Sequence, residues 1–395
     1  MKTLIELFDE SQIENIIAAL LLKPERIVFV GFKETMTEKR ISAIKSFFKT
    51  RGIDVSLSFE VVGRFDFASV KKRITEIVER YPDSVFDITG GKEMVIAAMG
   101  EALSGKGIPI IQIDVKKRKI VMCENCKEYL PENRDEKITI DEIVSLNGGA
   151  VKEMADIPLT DSDFKKDIEN AWNIARKGCG NWNRQITAFG NFERLGKITE
   201  SLFVEADFNS LKKGRKEFYI NKDIINSLID SGLIYGYDEK NGKVSFCYKN
   251  ENVHKLLTNA GNVLEYYAYI IINENPVEAL SSAVGVIVDW DSIDNPGAET
   301  RNEIDIMLVW GLTPVFISCK NGEVNKEALY ELDSVADKFG GVYAKKVLLA
   351  TYLAGNEEKR EYLKTRAKDM GIRLISGIEV MTREEFKAEL EKIVK

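Results

Sequence analysis

Two short apolar segments, 302–309 (NEIDIMLV) and 314–320 (PVFISCK), hold the residues best suited to chemistry. Both are rich in branched aliphatic residues and are separated by the turn Gly311-Leu312-Thr313, so they read as buried strands. Successive strand residues point to opposite faces, which groups Glu303 with Asp305 and Ser318 with Lys320. A carboxylate and an ammonium at a sheet rim are costly to bury unless they pair or take a ligand. Together they suit a metal ligand and a cation that orients water and offsets charge on a phosphate. That is the apparatus for hydrolysing a phosphodiester. An Asp facing a Lys across two strands is also an ordinary cross-strand pair. The surrounding elements must therefore decide between the two.

Those surroundings add a third group. Segment 262–269 (NVLEYYAY) reads as a helix and carries Glu265, and another helix is expected over 326–339. Glu303, Glu327 and Glu331 are spare carboxylates. The order of Asp305, Ser318 and Lys320 resembles the core of the restriction-endonuclease-like nucleases, an Asp followed by acid-any-Lys. Ser318 stands where that pattern has an acid, which leaves the strand one carboxylate short. The resemblance implies an upstream helical Glu, a place Glu265 fits. Glu265, Asp305 and the backbone carbonyl of Cys319 would then hold Mg²⁺ or Mn²⁺, since oxygen ligands suit hard cations. Lys320 would stand beside the attacking water, with Ser318 at the variable position.

Composition bounds the rest. A chain of 395 residues is expected to hold two or three domains. Its 44% hydrophobic and 30% charged content fits a soluble globular protein. No apolar run approaches a membrane span, and the stretch 13–22 is broken by Glu14 and Asn15. No basic-then-apolar leader opens the chain, so a cytoplasmic location is expected. Five scattered cysteines make no disulfide framework. Cys123 and Cys126 have zinc-knuckle spacing, but His254 is the single histidine and no second pair follows. A net charge of -7 argues against a broad basic surface for nucleic acid. The clusters Lys71-Lys72-Arg73, Lys116-Lys117-Arg118-Lys119 and Lys212-Lys213 read as solvated turns or faces.

The first third alternates helices (11–22, 38–50, 68–81, 93–104) with strands (26–31, 53–62, 84–89, 108–115), then returns at 120–122. This predicts a doubly wound, Rossmann-like sheet whose ligand lies beyond the strand carboxyl ends. Two loops fall there: 31–37, with Gly31, Thr35 and Met36, and 87–94, with Thr89, Gly90, Gly91 and Lys92. Paired glycines let amides approach an anion, and a helix N-terminus adds favourable partial charge. Neither Gly-x-Gly-x-x-Gly nor a P-loop is present, which disfavours a dinucleotide coenzyme or ATP. Asp87-Ile88-Thr89-Gly90-Gly91 resembles the ligand loop of CRISPR-associated Rossmann-fold (CARF) sensor domains. That resemblance implies a cyclic oligoadenylate held at a homodimer interface.

Beyond it, 126–164 reads as irregular, with Gly148-Gly149 as boundary. A helix at 223–231 and strands 233–237 and 244–248 around Lys240-Asn241-Gly242 form a winged-helix-like unit. Lacking a basic recognition helix, it reads as a connector. Further strands are expected at 284–290, 344–351 and 372–375, with a helix at 360–370. The expected α/β organisation is a CARF-like sensor (1–147), a connector (148–255) and a restriction-endonuclease-like domain (256–395). Across nearly the whole chain this resembles the ancillary nucleases of type III CRISPR systems. The resemblance implies a homodimer, free of membrane, whose cutting of DNA or RNA is switched on by cyclic tetra-adenylate. The rival is a nucleotide-sensing transcription regulator with a degenerate nuclease domain, which Ser318 favours and the joint survival of Glu265, Asp305 and Lys320 opposes. A Rossmann oxidoreductase lacks the glycine fingerprint.

Overall fold

The computed structural model describes residues 2–125, 136–208, 219–274, 280–290 and 301–394. The chain enters on β1 (Thr3–Leu7), a strand with all five residues buried. The helix-strand alternation above starts one strand too late. Glu6, a charged residue inside the strand, interrupts the apolar run that would have revealed it. β1 lies between β2 (Arg26–Phe32) and β4 (Ser84–Asp87). With β3 (Ser56–Val62), β5 (Ile110–Asp114) and β6 (Lys119–Glu124) the sheet order is β3-β2-β1-β4-β5-β6. All pairs are parallel except β5–β6. The order reverses at β1, so the ligand crevice of this doubly wound sheet opens beyond β1 and β4.

The flanking helices follow local rules. The helix Glu38–Thr50 starts where Thr37 accepts the Arg40 N–H, and Phe67–Arg80 starts where Asp66 accepts that of Ser69. In the latter, Val70, Ile74, Ile77 and Val78 form one buried stripe.

Segment 126–164 is more regular than its polarity predicts where it is described. A capping box of Thr139 and Glu142 opens the helix Ile140–Leu146, and β7 (Ala150–Ala155) follows. Cys126, of the Cys123/Cys126 pair, lies outside the described residues, as do Lys212 and Lys213. Helices Ser162–Ala175 and Cys179–Leu195 come next. A small antiparallel sheet, β10-β11-β9-β8, combines β8 (Lys197–Ile198), β9 (Phe203–Asp207), β10 (Ile234–Lys240) and β11 (Lys243–Tyr248). The helix Lys222–Asp230 precedes its β10–β11 hairpin, whose turn residues Asn241 and Gly242 have positive φ.

The third sheet has the order β16-β15-β14-β13-β12-β7. β12 (Leu280–Asp289), β13 (Arg301–Trp310) and β14 (Thr313–Lys320) are antiparallel; β15 (Lys345–Ala350) and β16 (Ile372–Ser376) continue parallel to β14. Edge strand β7 thus comes from far upstream in the chain. Helices Lys326–Gly340 and Glu357–Asp369 connect the parallel strands. On one face, Met307 and Phe316 join Leu332, Phe339 and the first-sheet residues Leu4 and Phe29 in one apolar core. On the other, Ile306 and Ile317 pack with Val263, Tyr267 and Phe386. The helix Asn262–Ile272 therefore covers the face opposite Lys326–Gly340. No helix among the described residues is long and apolar enough to cross a membrane.

Candidate functional site

Asp305 sits where β13 loses its partner. The β13–β14 ladder ends at the pair Ile306–Ile317. Beyond it the Asp305 carboxylate replaces the missing backbone acceptor: Oδ2 receives the Cys319 N–H at 2.6 Å and the Ser318 hydroxyl at 3.1 Å. Opposite, Gly285 of β12 adopts a φ of 60°. Ile304 and Ile306, two residues apart, are buried in different cores, so the strand twists at Asp305. Lys320 Nζ stands 3.9 Å from the same Oδ2. Oδ1 has no hydrogen bond among the described residues.

Glu265 arrives from the covering helix Asn262–Ile272, in its first turn. It is 8% exposed, and its carboxylate has no hydrogen bond or ion pair among the described residues. Gly261 makes the room: a Cβ there would lie 2.8 Å from Glu265 Oε1. Burial pushes the Glu265 carboxyl up to about 8, with Asp305 and then Glu303 adding repulsion and Lys320 opposing them. Burial also raises Asp305, against the pull of Lys320 and the two hydrogen bonds on Oδ2. Glu303 rises through burial and the neighbouring Asp305.

These three carboxylates, with Asn183, Lys320 and Asn321, line a cavity of about 400 Å³. Crowded acids whose charged forms are disfavoured by burial, with one carboxylate lacking any partner, are an environment that a divalent cation relieves. The donor set is oxygen throughout and suits Mg²⁺ or Mn²⁺. No three His, Cys, Asp or Glu side chains among the described residues already form a metal-holding group. Two carboxylates with the Cys319 carbonyl and water remain a compatible set. Cys319 is buried at the cavity wall, and burial raises its thiol well above the ordinary range; hard cations such as Mg²⁺ and Mn²⁺ favour its carbonyl oxygen over its sulfur. A smaller cavity of about 240 Å³ opens on the other side of Asp305, against Ser318, Glu331 and Val335. Glu331 acts on Asp305 from there, whereas the exposed Glu327 lines neither cavity. Asn183 and Asn321 escaped sequence reasoning, because no local pattern marks an Asn that reaches the site across 138 positions.

The crevice beyond the carboxyl ends of the first sheet is larger, about 1020 Å³, and Thr89, Gly90, Gly91 and Lys92 line it. A Cβ on Gly91, whose φ is 99°, would lie 2.6 Å from Leu7 Cβ. Thr89 is committed to the loop itself. Its hydroxyl donates to Asp87 Oδ1 at 2.5 Å and accepts the Ile113 N–H at 2.8 Å. Gly31, Thr35 and Met36 are not on the cavity wall; they are buried at the end of β2, and a Cβ on Gly31 would lie 2.8 Å from Phe8 Cβ. Their places are taken by Asp9 and Glu10 after β1, and by Lys39, Arg40 and Lys338. The Gly91 N–H donates to Asp9 Oδ2 at 3.2 Å, and Lys92 pairs with Glu10 at 3.2 Å. Carboxylates of the β1 loop thus hold both donors.

No protein-family profile matches the chain, and no curated protein matches it by sequence. Solved structures do. Can2 from Sulfobacillus thermosulfidooxidans, solved in complex with cyclic tetra-adenylate, aligns with a TM-score of 0.69 at 15% identity, covering 100% of both chains. The chain has the fold of Can2 along its whole length. Protein VC1899 from Vibrio cholerae aligns with a TM-score of 0.75 at 18% identity, over 100% of this chain and 98% of the other. At such identity the likeness to Can2 concerns the fold: sensor-like sheet, small antiparallel sheet and mixed sheet in the same succession.

Proposed function

We propose that the chain is a metal-dependent nuclease, hydrolysing phosphodiester bonds of DNA or RNA, that cyclic tetra-adenylate switches on within type III CRISPR defence. One observation carries the catalytic part: Glu265, Asp305 and Lys320 come from three separate elements to one cavity. The ion would be held by Glu265, Asp305 and the Cys319 carbonyl, and would supply positive charge to the phosphate and acidify water. Asp305 is pinned through Oδ2, which leaves Oδ1 for the ion. Lys320 orients the attacking water and stabilises charge that develops on the phosphate. Ser318 does not replace the acid it displaces; it steadies Asp305, and Glu265 with Glu303 provides the remaining negative charge. Because water attacks rather than a ribose hydroxyl, one centre serves either polymer.

The sensory part is supported by the glycine-lined crevice and by Can2, whose structure contains cyclic tetra-adenylate. A ring of repeated units suits a site shared by two copies of the chain, so the active form is a homodimer. Ligand phosphates would displace Asp9 from the Gly91 amide and Glu10 from Lys92. The test is incubation with Mn²⁺ and single- or double-stranded DNA or RNA, with and without cyclic tetra-adenylate. Cleavage is expected only with both Mn²⁺ and ligand, and Asp305→Ala and Lys320→Ala should abolish it while still binding ligand. Undiminished cleavage in either variant, or none by the native protein on any polymer, refutes the proposal.

A further inference from the structure

The cavity wall contains an amide pair that the chemistry above does not use. Asn321 follows Lys320 directly at the end of β14 and is 8% exposed. Its Nδ2 donates to Asn183 Oδ1 at 3.1 Å and to the Ala260 carbonyl at 3.2 Å. Asn183 returns a bond from its own Nδ2 to the Asn321 backbone carbonyl. A carbonyl accepts and never donates, so Ala260 fixes which end of the Asn321 amide is nitrogen. Oδ1 of Asn321 is then left buried with no partner, a costly state unless a donor reaches it. Gly322, at a φ of 145°, keeps the place clear, since a Cβ there would stand 3.2 Å from Asn183 Nδ2.

The pair joins three segments distant along the chain. Asn183 belongs to the helix Cys179–Leu195; Ala260 precedes Gly261 and the helix bearing Glu265; Asn321 ends the strand bearing Cys319 and Lys320. We infer that Asn183 and Asn321 form a positioning clamp that sets the spacing between Glu265 and the Cys319–Lys320 strand end. This rests on the reading of that cavity as a hydrolytic centre. Neither side chain is a catalytic residue; each acts through Glu265, Cys319 and Lys320.

The test uses the full-length protein with Asn183→Ala, and with Asn181→Ala as control, an exposed position on the same helix that does not line the cavity. Hydrogen exchange without metal reads the clamp itself. Asn183→Ala should speed exchange in both 259–265 and 319–323, and the control in neither. Calorimetry with Mn²⁺ alone, and cleavage kinetics, read the consequence. Loss of a residue that orients a ligand typically lowers metal affinity or kcat by about 10- to 100-fold, and KM for nucleic acid should stay unchanged. Should the alanine variant fail to fold, Asn183→Asp keeps the acceptor for Asn321 Nδ2 and loses the donor to its carbonyl. It should loosen 319–323 alone. Unaltered exchange, or unaltered Mn²⁺ affinity and kcat despite altered exchange, overturns the clamp. If the native protein neither binds Mn²⁺ nor cleaves, yet Asn183→Ala still loosens both segments, the hydrolytic reading fails and the amide pair is reduced to a structural brace.

Discussion

Glu265 offers the sharpest quantitative test. Its carboxyl is held at about 8, chiefly by burial and then by Asp305 and Glu303. At pH 7 about 90% of metal-free molecules therefore carry a proton on this group. An ion binds the ionised form, so below about pH 8 it must expel that proton. The sign follows: affinity for Mn²⁺ should rise nearly tenfold from pH 6 to 7, about fivefold from 7 to 8, and then level off. Over those two units the proton's competition weakens by about 2.3 kcal/mol. Asp305 is raised as well and adds its own slope, so the informative quantity is a difference. Glu265→Gln keeps the shape and removes the titration; its affinity should be lower throughout and its slope smaller by about one proton. Titration calorimetry in two buffers of unlike ionisation heat counts the protons directly. The native protein should release about one more proton per ion at pH 7 than Glu265→Gln. Equal slopes for both proteins from pH 6 to 8 would show that Glu265 neither titrates there nor meets the ion.

Gly261→Ala places a methyl 2.8 Å from Glu265 Oε1 without straining the backbone; crowding of about 1–3 kcal/mol should fall on the carboxylate, seen as weaker Mn²⁺ binding with cyclic tetra-adenylate binding intact. Gly91→Ala meets both a φ of 99° and Leu7 Cβ at 2.6 Å, so it should lose about 1–3 kcal/mol of stability together with ligand-stimulated cleavage, while Mn²⁺ affinity stays native. Tyr343→Phe removes the hydroxyl that Glu14 accepts; a bond of about 1 kcal/mol is about a fivefold change, to be read as the ratio of cleavage with and without cyclic tetra-adenylate.

Where residues act through their neighbours in sequence, the chain was legible. The helix Glu38–Thr50 runs as its Thr37 cap and apolar spacing require. The strands around Asp305 and Lys320 and the helix Lys326–Gly340 follow from branched aliphatic runs and one wide apolar stripe. What escaped depends on distant partners. β1 carries Glu6 into a buried position beside Asp87, and burial raises its carboxyl well above the usual range. No rule of alternation anticipates an acid there. Missing β1 shifted the count of strands, and with it the expected crevice, which is why Gly31, Thr35 and Met36 were singled out instead of Asp9 and Glu10. β7 is a short, half-exposed strand that pairs with β12 alone among the described residues. The helix Arg383–Val394 was not anticipated either, although Phe386 and Leu390 bury against the core that receives Ile306. Ser318 looked like a deficiency by motif; in the fold it supports Asp305.

The two cavities are tied by one element. The helix Lys326–Gly340 presents Glu331, Leu332 and Val335 to the cavity on the Ser318 side of Asp305, and Asp337 and Lys338 to the sensor crevice. Glu331 and Asp337 are six residues apart, about 9 Å along a helix axis. The C-terminal end of this helix is held from the sensor side. Asn147 Nδ2 donates to the Phe339 carbonyl at 2.9 Å, and Tyr343 donates to Glu14. Gly149 is packed so tightly that a Cβ would fall 2.3 Å from the Phe339 ring. A helix restrained this way moves as a rod rather than bending, because close-packed contacts transmit displacement. On the proposed function, a ligand that draws Glu14 away from Tyr343 would shift the end of a rod whose middle turn borders Asp305. Because that turn carries Glu331, whose charge already acts on Asp305, such a shift would change the electrostatics of the proposed hydrolytic centre as well as its shape.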